Sequence, residues 1–293
     1  MKPELSIIIV SYNTKQITRN CVESIYDSTA PCEIVVIDNL STDGSQEMLQ
    51  EYQKKHNNFH LIQNAQNVGF AKANNQGVKI AKGEYILFLN SDIVVLEDAI
   101  QKLFTYYKEN ENRIHFLGGK LLNADKTPQT SCGPSYSLAV VFAALFLRGD
   151  YWGLTRYSPT KVQEVDWVSG ACILTKKECF DAVGGFDENI FMYMDEIDLL
   201  YRAKQKGHRV FFYSNAQFIH LGSASSNNRT YPIQQVFKGL LYFYKKHHNG
   251  LSLLFLKIML QLKSLIAISI GKATHNHYLI STYEEALKLA RMD

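Results

Sequence analysis

In the first third of the chain, short apolar runs alternate with segments whose apolar positions recur at helical spacing. Residues 5–10, Leu-Ser-Ile-Ile-Ile-Val, form a β-branched run that predicts a buried strand. Beyond Ser11-Tyr12-Asn13, the positions Ile17, Cys21 and Ile25 predict a helix, with Thr14 or Asn13 placed to cap it. Residues 33–37 predict a second strand ending in Asp38-Asn39. The turn-rich Ser41-Thr42-Asp43-Gly44-Ser45 then leads into a helix over about 45–56, with Met48, Leu49 and Tyr52 on one face. Residues 59–62 predict a short third strand. Residues 67–77 read as a loop entering a helix of small residues, which permit close backbone approach. Tyr85-Ile86-Leu87-Phe88-Leu89 is an unbroken apolar run ending in Asn90-Ser91-Asp92, with a helix starting near Glu97.

Four strand–helix units in succession predict an α/β fold with a Rossmann-like, mostly parallel sheet flanked by helices. Ligands of such sheets collect at the carboxyl ends of strands, where Asp38 and Asp92 fall. Asp92 reads either as a carboxylate facing a ligand through a metal ion or as a cap of the next helix. The first strand is not followed by G-x-G-x-x-G, and G-x-x-x-x-G-K-[ST] is absent. Both absences disfavour nicotinamide, flavin and P-loop enzymes. A hard divalent cation, Mg²⁺ or Mn²⁺, on Asp92 is then the natural means of holding phosphates.

Composition narrows the picture. Of 293 residues 46% are apolar and 20% charged, which indicates a folded chain with ample core material. A net charge of +3 argues against a general nucleic-acid binder. Cys21, Cys32, Cys132, Cys172 and Cys179 contain no C-x-x-C pair, as expected of reduced thiols in a cytosolic protein. Met1-Lys2-Pro3-Glu4 leads straight into the first strand run, unlike a signal peptide.

Several segments together carry a family likeness. These are Ser6 to Asn13, Asp38-Asn39 with Ser41-Thr42-Asp43-Gly44-Ser45, Asn67-x-Gly69-Phe70-x-x-Ala73-Asn74-x-x-Gly77 and Leu89-Asn90-Ser91-Asp92. Downstream lie Trp167-Val168-Ser169-Gly170-Ala171, Gly184-Gly185-Phe186-Asp187-Glu188, Phe191-Met192-Tyr193-x-Asp195-Glu196-x-Asp198-Leu199 and His220-Leu221-Gly222-Ser223-Ala224-Ser225. In this order they resemble the family 2 glycosyltransferases of the GT-A fold, over roughly residues 4 to 225. The resemblance implies a nucleotide-sugar site formed by Ser11, Tyr12, Asn13, Asp38, Asn67, Gly69, Asn90 and Ser91, with Asp38 on the nucleobase. It implies metal ligands at Asp92 and His220, an acceptor side at Trp167, Gly170 and Asp198, and a general base at Glu196. Asn90-Ser91-Asp92 keeps one acidic position of the family's D-x-D signature. This asparagine form resembles a branch of O-antigen and rhamnan enzymes that often use dTDP-L-rhamnose, although that branch more usually has proline at position 91. The order Asp195-Glu196 also departs from the commoner pattern, and leaves Asp195 as the alternative base.

Bland readings stand beside these. Asp195, Glu196 and Asp198 open a segment closed by Lys206-Gly207, and acidic residues in a first helical turn suit the macrodipole. Asp198 and Arg202 are spaced for an i,i+4 ion pair. His220 ends an apolar run where a lone histidine is often a satisfied core residue. Trp167 suits either sugar stacking or the core. Residues 120–157 are turn-rich and poorly patterned, with room for a mobile acceptor loop.

No acidic residue occurs between Arg229 and Lys272, and residues 251–270 are strongly apolar but interrupted by Lys257, Gln261 and Lys263. Two internal lysines disfavour a spanning helix. Two readings remain: an amphipathic helix lying on an anionic membrane, or a helical pair packed on the catalytic domain or a homodimer partner. The expected organisation is a catalytic domain over 1–228, with a nucleotide-sugar half (1–112) and an acceptor half (113–228), then a C-terminal helical extension (229–293).

The expected function is inverting, metal-dependent transfer of a single sugar, L-rhamnose as first choice. The donor is a nucleotide diphosphate sugar and the acceptor a glycan or a polyprenyl-diphosphate-linked glycan. The setting is bacterial surface polysaccharide synthesis at the cytoplasmic face of the plasma membrane. Absence of Q-x-x-R-W disfavours a processive synthase. The alternatives are a UDP-sugar donor, a sugar nucleotidyltransferase, which lacks its basic phosphate loop after the first strand, and a non-catalytic glycan-binding protein with a decayed site.

Overall fold

The computed structural model describes residues 3–28, 30–222 and 230–292. Its elements, in chain order, are β1 (Leu5–Ser11), α1 (Lys15–Tyr26), β2 (Cys32–Asp38), α2 (Ser45–Lys55), β3 (Phe59–Gln63), α3 (Phe70–Ile80), β4 (Tyr85–Leu89), β5 (Ile93–Val95), α4 (Ala99–Glu109), β6 (Phe116–Leu122) and β7 (Cys132–Gly133). They continue with α5 (Leu138–Phe146), β8 (Gln163–Val165), β9 (Trp167–Val168), β10 (Cys172–Lys176), α6 (Lys177–Ala182), α7 (Asp195–Gln205), β11 (Val210–His220), α8 (Thr230–His247), α9 (Gly250–Ala273) and α10 (His277–Arg291). Ser223, Ala224 and Ser225 of the His220 segment, and Arg229 of the tail, lie outside the described residues.

The chain forms two units. The first comprises Met1–Pro134, Arg156–Phe191 and Asp195–Ser225, and the second Ser135–Thr155, Met192–Met194 and Ser226–Asp293. In the first unit the sheet order is β3-β2-β1-β4-β10-β6-β11-β5, with β8 beside β11, while β7 and β9 pair separately. β1 runs parallel between β2 and β4, with Ile8 opposite both Val35 and Phe88. Strands paired on both edges and covered on both faces have no polar side, which is why β4 is buried at all five positions.

Beyond β4 the sheet is mixed. β10 runs antiparallel to β4, from Cys172 opposite Leu89 to Lys176 opposite Tyr85. It therefore starts at the carboxyl end of β4 and places the Gly170-Ala171 turn there. β11 reaches the same edge from the other side, where His220 pairs with Ile93.

Helix packing follows residue size. Ala71, Ala73 and Gly77 are buried on α3. A Cβ at Gly77 would lie 2.6 Å from Ile8 Cγ2 and 2.8 Å from Ile37 Cδ1, so only glycine lets α3 sit this close to the sheet. The expected cap of α1 is replaced. Thr14 holds the N-cap position, but its hydroxyl lies 3.0 Å from that of Thr18, and the Lys15 N–H donates to Asp43 Oδ2 at 2.8 Å. Asn13 Oδ1 instead accepts from Thr42 N at 2.7 Å, tying the loop after β1 to the loop after β2. Helix α4 starts at Ala99 rather than near Glu97, whose φ of +46° is not helical. Residues 120–157, expected to be largely irregular, contain the end of β6, then β7 and α5.

The second unit is helical, with α10 packed along α9 and α8, and α5 packed on α9. Its polarity is inverted. Lys257 Nζ donates to Met292 O at 2.8 Å and Gln261 Nε2 to Ala290 O at 3.1 Å, so the polar stripe of α9 serves the last carbonyls of α10. Lys263 Nζ donates to Leu145 O at 2.7 Å, beside α5. Most of the exposed positions of α9 are therefore apolar.

Candidate active site

The site is built on the carboxyl edge of the first unit's sheet. In the β1–β2 register Ser11 lies opposite Asp38. Asp38 is fully buried; its Oδ1 accepts from Ser41 N at 2.9 Å and Gln46 Nε2 at 3.0 Å. Its Oδ2 is buried with no hydrogen-bond partner among the described residues. A buried carboxylate oxygen left unpaired costs about 1–3 kcal/mol or more. Around it, Asn39 Nδ2 donates to Gly69 O at 3.3 Å, and Gly69 N donates to Asn67 Oδ1 at 3.0 Å. Gly69 has φ +84°, and a Cβ there would lie 2.7 Å from Phe191 O, so the loop needs glycine. Tyr12 is exposed and Asn13 takes a left-handed φ of +51°.

The second cluster centres on the turn after β4. Asn90 N donates to Ala171 O at 3.1 Å, and Leu221 N donates to Asp92 O at 3.1 Å. Asp92 is buried, with Oδ1 3.3 Å from His220 Nε2, while Asn90 Nδ2 also lies 3.3 Å from Nε2. Ser91, between them, is half-buried. Gln129 orients the ring from behind. Its Nε2 donates to Asn123 Oδ1 at 3.1 Å and to His220 O at 3.2 Å, leaving Oε1 to face His220 Nδ1 at 2.7 Å. The Nδ1 nitrogen therefore carries the ring proton, and in the neutral ring Nε2 offers a lone pair toward Asp92.

The Nε2 lone pair faces both the Asn90 Nδ2 donor and the Asp92 carboxylate at 3.3 Å, a pairing whose spacing also suits a shared cation. Adjacent ligands of octahedral Mg²⁺ at about 2.1 Å stand about 3 Å apart, near the observed 3.3 Å. Asn90 Oδ1, a hard oxygen, is also buried without a partner among the described residues. Those residues contain no group of three or more His, Cys, Asp or Glu able to hold a metal. Asp92 and His220, with the Asn90 oxygen, are a hard donor set that fits Mg²⁺ or Mn²⁺ and does not fit a structural zinc site.

The third cluster is Glu196. Its residue is half-buried, but burial of the carboxyl pushes its pKa above the ordinary glutamate value. The Arg156 guanidinium and the backbone N–H groups of Gly170 and Ile197 oppose that rise. Gly170-Ala171 thus joins two clusters, since Ala171 O takes the Asn90 N–H and the Gly170 N–H serves Glu196. Immediately before α7, Tyr193 and Met194 have left-handed φ angles of +62° and +67°. Two consecutive non-glycine residues there mark strain at the entry to the Asp195-Glu196 pair.

Asp195 is buried. Asp198 is fully buried, and its Oδ2 accepts from Arg202 Nε at 2.7 Å, while Arg202 also donates to Val183 O and Gly185 O. That network ties α7 to the Gly184-Gly185 turn. Trp167 is in the core, with Nε1 donating to Pro134 O at 2.9 Å and the Arg156 guanidinium 5.4 Å from its ring centroid. Sequence reasoning did not single out Gln129 or Arg156; both lie in the poorly patterned 120–157 stretch, where no spacing marked them. An open depression lined by Lys82, Glu84, Lys176 and Asp181 lies at the amino end of β4, away from these clusters.

Comparison with known proteins finds glycosyltransferases among the relatives and solved structures. The chain is 35% identical over 131 residues to a poly(ribitol-phosphate) beta-glucosyltransferase of Bacillus spizizenii, a match covering 43% of this chain and 21% of that one. It is 27% identical over 243 residues to the N-acetylglucosaminyl-diphospho-decaprenol L-rhamnosyltransferase of Mycobacterium tuberculosis, covering 75% and 76%. The fold resembles that of the mannosyltransferase PcManGT from Pyrobaculum calidifontis in complex with GDP-Man and Mn²⁺, with TM-score 0.62, 15% identity and coverage of 99% and 86%. The chain spans 51%, 21% and 63% of three of the curated relatives it matches. Residues 6–127 match the model for Glycosyl transferase family 2.

Proposed function

We propose that the chain transfers a single sugar, with inversion, from a nucleoside diphosphate sugar to a glycan or polyprenyl-diphosphate-linked acceptor in bacterial surface polysaccharide synthesis. The observation that carries this reading is the unpartnered Asp38 oxygen on the same sheet edge as the Asp92–His220 pair. One suits a nucleobase N–H and the other a metal-bound diphosphate.

Asp38 Oδ2 accepts the N3–H of a uracil or thymine base. The loop closed by Asn67 and Gly69 lines the nucleoside side, and Asp92, His220 and Asn90 hold a divalent cation. When bound, that cation supplies charge neutralisation for the departing diphosphate. Glu196 accepts the proton of the acceptor hydroxyl as its oxygen attacks the anomeric carbon and the bond to the diphosphate breaks. Its raised pKa makes it a stronger base than an exposed glutamate, and the Arg156 charge keeps its ionised form accessible. dTDP-L-rhamnose is the preferred donor, supported by the mycobacterial relative, whose match extends over three quarters of both chains. A UDP-sugar fits the same Asp38 contact.

The test is release of nucleoside diphosphate from dTDP-rhamnose and from a UDP-sugar panel with Mn²⁺. Release with either donor, lost in Glu196→Gln, supports glycosyl transfer and names the nucleotide. No release from any donor, by protein that binds nucleotide, contradicts the enzymatic reading.

A further inference from the structure

Helix α9 turns the usual arrangement of an amphipathic helix inside out. Its Lys257, Gln261 and Lys263 side chains donate to backbone carbonyls within its own unit. Its outward face is apolar instead: Leu254, Phe255, Ile258, Leu262, Leu265 and Ile266 are each more than two-fifths exposed. The helix has 24 residues, and from Leu254 to Ile266 this stripe runs about 18 Å. A continuous exposed apolar stripe of that length marks an interaction surface.

Charge and aromatic content say which surface. The exposed Lys245 and Lys246 close α8 just before the stripe begins, and the exposed Lys272 closes it. Helix α5, packed on α9, leads into a turn where Tyr151 is 76% and Trp152 67% exposed, with the Arg148 guanidinium 6.0 Å from the Tyr151 ring centroid. Tyrosine and tryptophan with nearby cations are the residues enriched at membrane–water interfaces. A second copy laid along the stripe, parallel or antiparallel, would bring cationic ends together. Anionic headgroups would neutralise them.

By length and composition α9 is apolar enough to cross a membrane. Its polar stripe, however, is bonded to α10 and α5, so one side of the helix is already occupied by protein. A helix covered on one side and apolar on the other fits the plane of the interface rather than its normal. We infer that the outward face of α9, with the Tyr151–Trp152 turn, docks the helical unit on an anionic lipid surface. The inference uses no residue of the nucleotide site and stands or falls apart from the proposed activity.

The experiment is flotation of the whole chain with vesicles of phosphatidylcholine alone or mixed with phosphatidylglycerol. The expected result is flotation with the anionic vesicles, reduced about tenfold or more in Ile258→Glu/Leu262→Glu with circular dichroism unchanged. Should that variant misfold, fluorescence of the parent reports instead. The other tryptophan, Trp167, is buried, so a blue shift and quenching by brominated lipid assign Trp152 to the bilayer interface. Absence of flotation and of any tryptophan shift overturns the inference. So does a stable dimer that the double variant converts to monomer without any vesicle binding by the parent.

Discussion

The carboxyl edge of the sheet and the helical unit bury and expose opposite groups. At the sheet edge, oxygens of Asp38 and Asn90 are buried without hydrogen-bond partners among the described residues, a cost that the proposed ligand would offset. In the helical unit Lys257, Gln261 and Lys263 of α9 donate to carbonyls of the same unit, and most exposed positions of α9 are apolar. The first region is incomplete in hydrogen bonding and the second in burial. The chemistry of what is missing therefore points to different occupants: donors and a cation in one case, hydrocarbon in the other.

The sharpest way to break the first half of this comparison is Glu196→Gln. It should lower turnover by about 10²–10⁴-fold while nucleotide binding persists, read by nucleoside diphosphate release against calorimetric affinity. A loss confined to binding contradicts the base assignment. The pH dependence follows from the raised pKa. Glu196 must be ionised to take a proton, so turnover falls as pH drops through a value above the ordinary glutamate range. For stability the sign is opposite. The folded carboxyl holds its proton to higher pH than the unfolded one, so stability declines as pH rises from the unfolded value to the raised one. Glu196→Gln removes that decline and should be the more stable protein at neutral pH, measured as Tm across a pH series.

A smaller effect is expected at Gln129. Its contacts fix the His220 tautomer from behind, so Gln129→Ala should weaken Mn²⁺ affinity by about 10–100-fold. Metal-free nucleotide affinity should stay unchanged, since Asp38 is not touched. Equal loss of both would mean that Gln129 supports the fold alone. The smallest effect belongs to the helical unit. Lys257→Ala removes one partly solvated bond to the end of α10 and should cost no more than about 1 kcal/mol, read by denaturant unfolding. A larger cost would mean that the inward polar stripe holds the unit together more than its apolar contacts do.

How much of this was legible in the sequence differs by region. The strand ends bearing Asp38 and Asp92 were visible, because a buried parallel strand must stay apolar until the chain leaves the sheet. The Asp198–Arg202 bond was visible from i,i+4 spacing. Glu196, by contrast, was reached through family resemblance, since acidic residues in a first helical turn need no function. Gln129 and Arg156 were invisible: each acts across long sequence separations, on His220 and Glu196, and no local period records that. Helix α5 lacked a polar stripe to declare its period, leaving Ser137, which accepts from Val140 N, as its one local signal. Lys257, Gln261 and Lys263 were visible as polar interruptions of the apolar α9 segment, but an interruption alone does not tell which side faces the protein.

The central claim is a nucleotide and metal site at the sheet edge, and thermal stability tests it most directly. A ligand that binds only the folded chain raises Tm. With dTDP, UDP and their sugars, with and without Mn²⁺, the account predicts a metal-dependent rise that Asp92→Ala abolishes and Asp38→Ala diminishes. A rise that survives Asp92→Ala at full size, or no rise with any nucleotide on folded protein, would contradict it.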